Sequence, residues 1–310
     1  MSTCAPIAEI AAREGQPPTG RLARRAAIIE VVLAFVFVHV AYRVIKHFTG
    51  LGRLEAAAHL NFTPGAVMIL FTLCVVLLRR NGPSAYGLGL ARLSQNLKVG
   101  VLWGALLVAG VALLRLLGVR HQPRVRPPTM TEGVIYGLAS LAAVVLFAWL
   151  LTRQGTMLNR IPTAVCALVF LALLCLPLVF ALHYGRPFRH TVLTVSWLLL
   201  GAGCGEEIFY RGYIQSRVNM AFGRPFRFFG VQFGMGLLVS SLLFGFLHAL
   251  NSVDYFDRRF TFAWGFGVAN VGTGLIYGCL RESTGSVVAG AVTHAILDVL
   301  VIIPGLISAP

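Results

Sequence analysis

The chain has 310 residues, is 57% hydrophobic and only 12% charged, and its mean hydropathy is +0.79. That is more apolar surface than a soluble domain of this size can hide, so a water-soluble globular protein is excluded. The formal net charge of +15 does not point to nucleic acid: the 26 Lys and Arg are spread over almost every connection between apolar runs, without aromatic interleaving, as in a chain whose partner is anionic lipid.

In chain order, residues 1–25 are polar, carry Pro17, Pro18 and Gly20, and read as a short disordered cytoplasmic tail rather than a signal peptide. Apolar runs near the roughly 20 residues that a spanning helix needs follow at 26–44, 63–78, 99–117, 133–151 and 161–182. Four more lie at 191–205, 228–250, 262–280 and 285–303. They predict an all-α fold, a polytopic transmembrane helical bundle of eight or nine spans. Lipid offers backbone groups no partner outside a helix or a closed barrel, and the ten-residue alternation of a barrel is absent. Lys and Arg weakly favour an N-terminus inside. The six cysteines, at 4, 74, 166, 175, 204 and 279, form no CxxC pair and read as packing residues. Residues 26–189 read as a transmembrane scaffold, 190–304 as the part where the chemistry collects, and 305–310 as a tail.

The stretch GAGCGEEIFYRGYIQSRV, residues 201–218, puts Glu206 and Glu207 at the end of an apolar run. An ionisable group inside a membrane costs about 2.5 to 3.5 kcal/mol even on lenient scales, so the pair calls for a partner or a purpose. On an α-helix Glu207 and Arg211 share a face, while Glu206 is turned about 100° away. One carboxylate can then be neutralised while the other projects elsewhere; a structural ion pair with Glu206 in water is the alternative. In SSLLFGFLHAL, Phe244 precedes His248 by one turn, and in VAGAVTHAILDVL, His294 and Asp298 are again four apart. A carboxylate one turn from a histidine can accept its N–H and fix its tautomer. The remaining histidines, 39, 47, 59, 121, 183 and 190, sit at span ends or in loops and read as packing residues.

Three polar constellations in order on separate spans, EExxxR, FxxxH and HxxxD, resemble the CPBP family of intramembrane proteases. These are the type II CAAX prenyl endopeptidases and their bacterial relatives linked to bacteriocin processing and immunity. The resemblance covers roughly residues 190–304 and implies a catalytic domain there: a helical bundle with a polar cavity in the plasma membrane, facing the cytoplasm, where water attacks a peptide bond of a membrane-associated protein or peptide. Carried over, Glu206 would be the general base and His248 would help hold the water. His294 and Asp298 would face the developing oxyanion, and Glu207 with Arg211 would orient the base. Where relatives carry Asn at the last position, Asp298 cannot donate when ionised, so here it is expected to orient His294.

No cofactor is expected, but zinc remains an open alternative: two histidines and a glutamate can form a site with an open position, although no HExxH occurs. Two noncatalytic readings also stay open. One is an ion-coupled transporter, since FAWGFGVANVGTGLIYG can line a pathway. The other is an immunity or scaffolding protein in which the motifs serve only as structure.

Overall fold

The computed structural model describes residues 20–58, 60–79, 81–117, 128–153, 161–228 and 230–308. Long helices dominate: α1 (Arg21–Phe48), α3 (Phe62–Arg79), α4 (Leu93–Leu116), α5 (Met130–Arg153) and α6 (Thr163–His183), with the short α2 (Leu51–Ala57) between α1 and α3. They are followed by the 35-residue α7 (Phe188–Phe222), α8 (Met235–Ala249), α9 (Trp264–Thr284), α10 (Val288–Val301) and the short α11 (Ile303–Ser308). Among the described residues the only strands are two small antiparallel hairpins. β1 (Phe226–Phe228) pairs with β2 (Val231–Phe233), and β3 (Val253–Asp254) pairs with β4 (Arg259–Phe260).

The all-α polytopic bundle expected from the sequence is what forms. Seven helices or helical runs, built on α1, α3, α4, α6, α7, α8 and α10, are long and apolar enough to cross a membrane. The other two predicted spans are also helical. α5 contains the shorter apolar stretch Met130–Leu146, and α9 is long enough but its glycines and its Arg281–Glu282 end lower its hydropathy. The first helix starts at Arg21, five residues earlier than the apolar run, because RLARRAAI is made of good helix formers regardless of charge. The rest of the expected tail, residues 1–19, lies outside the described residues, as do His59, His121 and Cys4.

Close approach of backbones organises the core. Where the chain carries glycine, neighbouring helices touch main chain to main chain, which is how helices associate without a hydrophobic driving force. Gly133 of α5 faces the Gly265 backbone of α9, and Gly245 of α8 faces Gly267 of the same helix. α9 is thereby held between α5 and α8. The two hairpins mark opposite ends of the bundle. At one end Arg24 of α1 lies over the Phe222 ring at the end of α7; at the other Arg43 of α1 donates to the carbonyls of Leu250 and Val253, just past α8.

Outside the apolar runs, Glu55 of α2 ties the α1–α3 connection. It accepts from Lys46 Nζ (2.8 Å), from the Thr63 amide (2.6 Å) and from the Thr63 hydroxyl (2.7 Å). Burial pushes this carboxyl up, but the Lys46 and Thr63 donors more than offset that and hold it below the ordinary carboxylate value. A depressed carboxylate contributes stability above its unfolded-state pKa and loses it as pH falls through the lower folded value. Glu55→Gln is therefore expected to lower the unfolding free energy by about 1 to 3 kcal/mol at neutral pH. The gap from wild type should close in thermal melts taken below the folded pKa.

Candidate active site

The site is built on a helix that is not α in its middle. Within α7, Leu198–Glu206 and Ile208–Gln215 are π-helical, a correction to the α-helical geometry read from the sequence. A wide turn is unfavourable by itself and recurs at functional sites. Here the glycines 201, 203 and 205 let α3 pack against the widened backbone: a Cβ on Gly205 would lie 2.8 Å from Gly65 Cα, and one on Gly203 3.1 Å from Ala295 Cβ. Side chains at these positions would push α3 and α10 away, so the absence of Cβ atoms allows the broad helix to pack tightly.

At the end of that segment the two glutamates part, as their spacing suggested. Glu207 is fully buried and pairs with Arg211, Nη1 to Oε1 at 3.0 Å, both side chains having no exposure. Arg211 is enclosed further: Nη2 donates to the Gly274 carbonyl of α9 at 3.2 Å. Its guanidinium lies 4.3 Å from the Phe244 ring centre and 5.2 Å from that of Tyr277. Cation–π contacts of this kind are strongest where water is excluded.

His294 of α10 arrives from 87 residues away. Its Nδ1 lies 3.1 Å from Glu207 Oε1, the oxygen that also meets Arg211. Its Nε2 faces Glu206 Oε2 at 3.8 Å and Asp298 Oδ2 at 3.5 Å. Tyr277 stacks on the imidazole at 4.6 Å, and Phe244 meets it edge-on at 5.9 Å. Asp298 thus stands beside His294 as expected, but the nitrogen on the far side of the ring is held by Glu207. That partnership joins two different helices and has no local sequence signal.

His248, at the end of α8, places Nδ1 2.8 Å from the Phe244 carbonyl. A carbonyl only accepts, so Nδ1 carries the proton and Nε2 of the neutral ring keeps its lone pair. Phe244 separates the two histidines, 4.5 Å from one ring and 5.9 Å from the other. All six residues singled out in the sequence therefore gather at the junction of α7, α8 and α10.

Two further residues belong to this junction. Tyr277 of α9 forms a wall against both Arg211 and His294; it lies in a glycine-rich run with no motif around it. Tyr210 sits inside the EExxxR spacing itself and is fully buried. Its hydroxyl, Glu206 Oε2 and Glu207 Oε2 are buried oxygens with no hydrogen-bond partner. Such atoms in one polar chamber call for bound water or substrate. As for zinc, no group of three or more His, Cys, Asp or Glu side chains among the described residues is placed to hold a metal ion. In addition, both ring nitrogens of His294 already face carboxylates.

The fit around Glu207 leaves no slack. A Cβ on Gly290 of α10 would lie 2.7 Å from Glu207 Oε2, whereas one on Gly212 of α7 would meet nothing closer than 3.4 Å. Gly290→Val is expected to displace the carboxylate and lower turnover by about a hundredfold, the scale of an ångström-sized misplacement. Gly212→Ala should stay within about twofold, both measured as initial cleavage rates at equal protein levels.

Residues 188–300 match the family model described as type II CAAX prenyl endopeptidase Rce1-like. No curated protein and no solved structure matches the chain. The matched residues hold Glu206, Glu207, Arg211, His248, His294 and Asp298 together, and the chain thus carries a membrane-embedded CAAX-type protease domain of the Rce1-like family.

Proposed function

We propose that this protein is an intramembrane endopeptidase in which Glu206 activates water for attack on a peptide bond of a membrane-associated protein or peptide. The observation that carries the reading is the unpartnered, buried Glu206 Oε2, 3.8 Å from His294 Nε2 and one residue from a carboxylate already neutralised by Arg211. A base must have an oxygen to spare, and of the two glutamates Glu207 is committed to holding other groups.

In this mechanism Glu206 takes a proton from water as the oxygen adds to the carbonyl carbon. His248, with Nδ1–H fixed on the Phe244 carbonyl, offers Nε2 as an acceptor that orients the same water. His294, braced by Glu207 on one side and Asp298 on the other, faces the charge that develops on the carbonyl oxygen; fixed donors are worth most where the dielectric is low. Glu206 then passes its proton to the departing amine nitrogen as the C–N bond breaks. Arg211 keeps the adjacent carboxylates from repelling one another. No step requires a metal. The site is proposed to face the cytoplasm from the plasma membrane, with anionic lipid around the Arg-rich ends.

Glu206→Gln keeps the shape of the side chain and removes the base, so cleavage should fall by about a thousandfold, within the range for loss of a general base. The measurement compares N- and C-termini of membrane proteins by mass spectrometry in cells expressing wild type or Glu206→Gln at equal levels, with and without a chelator. Termini that depend on Glu206 and persist under the chelator support the mechanism. Their loss under the chelator points to zinc, and identical termini in both strains point to transport or scaffolding.

A further inference from the structure

α1 lies outside the matched residues 188–300, yet it carries a buried histidine in an unusual position. His39 is 4% exposed and in the interior of the helix, not at a span end as its place in the sequence suggested. Both of its ring nitrogens meet a phenol. The Tyr42 hydroxyl lies 3.2 Å from Nδ1, and the Tyr255 hydroxyl lies 3.3 Å from Nε2. In either neutral tautomer one nitrogen donates and the other accepts, and each hydroxyl can do both.

The two ends of this row lead to different places. Tyr255 belongs to the β3–β4 hairpin and is 41% exposed. Tyr42 is buried, and its hydroxyl is within electrostatic reach of both Glu206 and the Tyr210 hydroxyl. Between them lie the unpartnered Glu206 Oε2 and Tyr210 oxygen, which a bound water would satisfy. The row is also held in place. Arg43 packs over the rings of Tyr42 and Tyr255, at 5.7 and 5.1 Å, while donating to the Leu250 carbonyl at 2.9 Å. His47 stacks on Phe256 of the same hairpin at 3.8 Å. A histidine needed only for packing does not require two hydroxyls aligned on opposite sides of its ring.

We infer that Tyr42, His39 and Tyr255 form a proton path that connects the Glu206 chamber to the surface at the β3–β4 hairpin. The inference rests on Glu206 being the base. Hydrolysis turns the peptide bond and one water into a carboxylic acid and an amine. Glu206 moves the first proton of water to the amine nitrogen. The second remains on the new carboxylic acid, which at neutral pH leaves as a carboxylate. That proton has no aqueous acceptor in an apolar bundle. Along the path it passes through water to Tyr42, to His39 Nδ1 as the proton on Nε2 leaves, and out through Tyr255; the amine takes up a proton from solvent after release. Tyr42 and His39 are relay residues and do not touch the scissile bond.

The test uses the full chain in purified membranes and follows, by mass spectrometry, the rate at which the wild-type-dependent termini appear. His39→Gln keeps a donor and an acceptor but cannot shuttle a proton. It should slow that rate by about tenfold or more, below the full loss of a general base, with an unchanged melting temperature, and millimolar imidazole should restore much of the rate. A rate within twofold of wild type overturns the inference, and so does a loss that imidazole does not relieve. Glu206→Gln run in parallel separates the two claims. If it is inactive while His39→Gln is not slowed, only the relay falls; if it cleaves like wild type, the base assignment falls and takes the relay with it.

Discussion

A guanidinium and a carboxylate with no exposed surface, Arg211 and Glu207, stand at the centre of this bundle, and the arrangement around them follows from what it costs to put them there. Removing two charges from water is repaid only if each is also met by further fixed groups. Arg211 finds the Gly274 carbonyl and the faces of Phe244 and Tyr277, and Glu207 finds His294. Those partners come from α8, α9 and α10. The pair therefore fixes the mutual position of the helices that carry His248 and His294, and the same contacts that neutralise the charges assemble the chamber. Replacing either member alone strands the other, which is more disruptive than replacing both.

Bringing that centre under α3 and α10 demands that backbones come close. The glycines of α7, together with Gly65 and Gly290, remove the atoms that would hold the helices apart, and the broadened π segment occupies the space that results. Small residues in membrane helices serve packing directly, since lipid competes equally well for larger apolar side chains. In this protein they also decide where a carboxylate can stand.

The sequence disclosed whatever was local. Apolar runs of spanning length gave the helices, and pairs four residues apart, Glu207 with Arg211 and His294 with Asp298, do lie together. Contacts between distant segments left no such trace. Glu207 meets His294 across 87 residues, and Tyr277 becomes a wall of the site without any motif around it. The π-helical turn was invisible because an i, i+4 pair survives the change from α to π, so the motif reads the same in both. His39 was misread for a related reason: in sequence it lies in an apolar run near a basic end, and only the fold brings Tyr255 from the distant hairpin to its ring.

A π-helical stretch differs from an α-helix by the residue it accommodates, and this has a consequence for how the site is encoded. The direction of Glu206 depends on how many residues lie between the start of α7 and the carboxylate pair, as well as on which residues they are. Losing one residue from Leu198–Glu206 would let the helix tighten to α and turn everything beyond it by about 100° relative to its beginning. Arg211 would still follow Glu207 by four positions, and the motif would remain intact in the sequence. The pair would nonetheless point at a different neighbour. In a chain of this kind, a family signature can persist letter for letter while an insertion or deletion upstream disarms it, so the length of the segment before the motif is itself part of the active site.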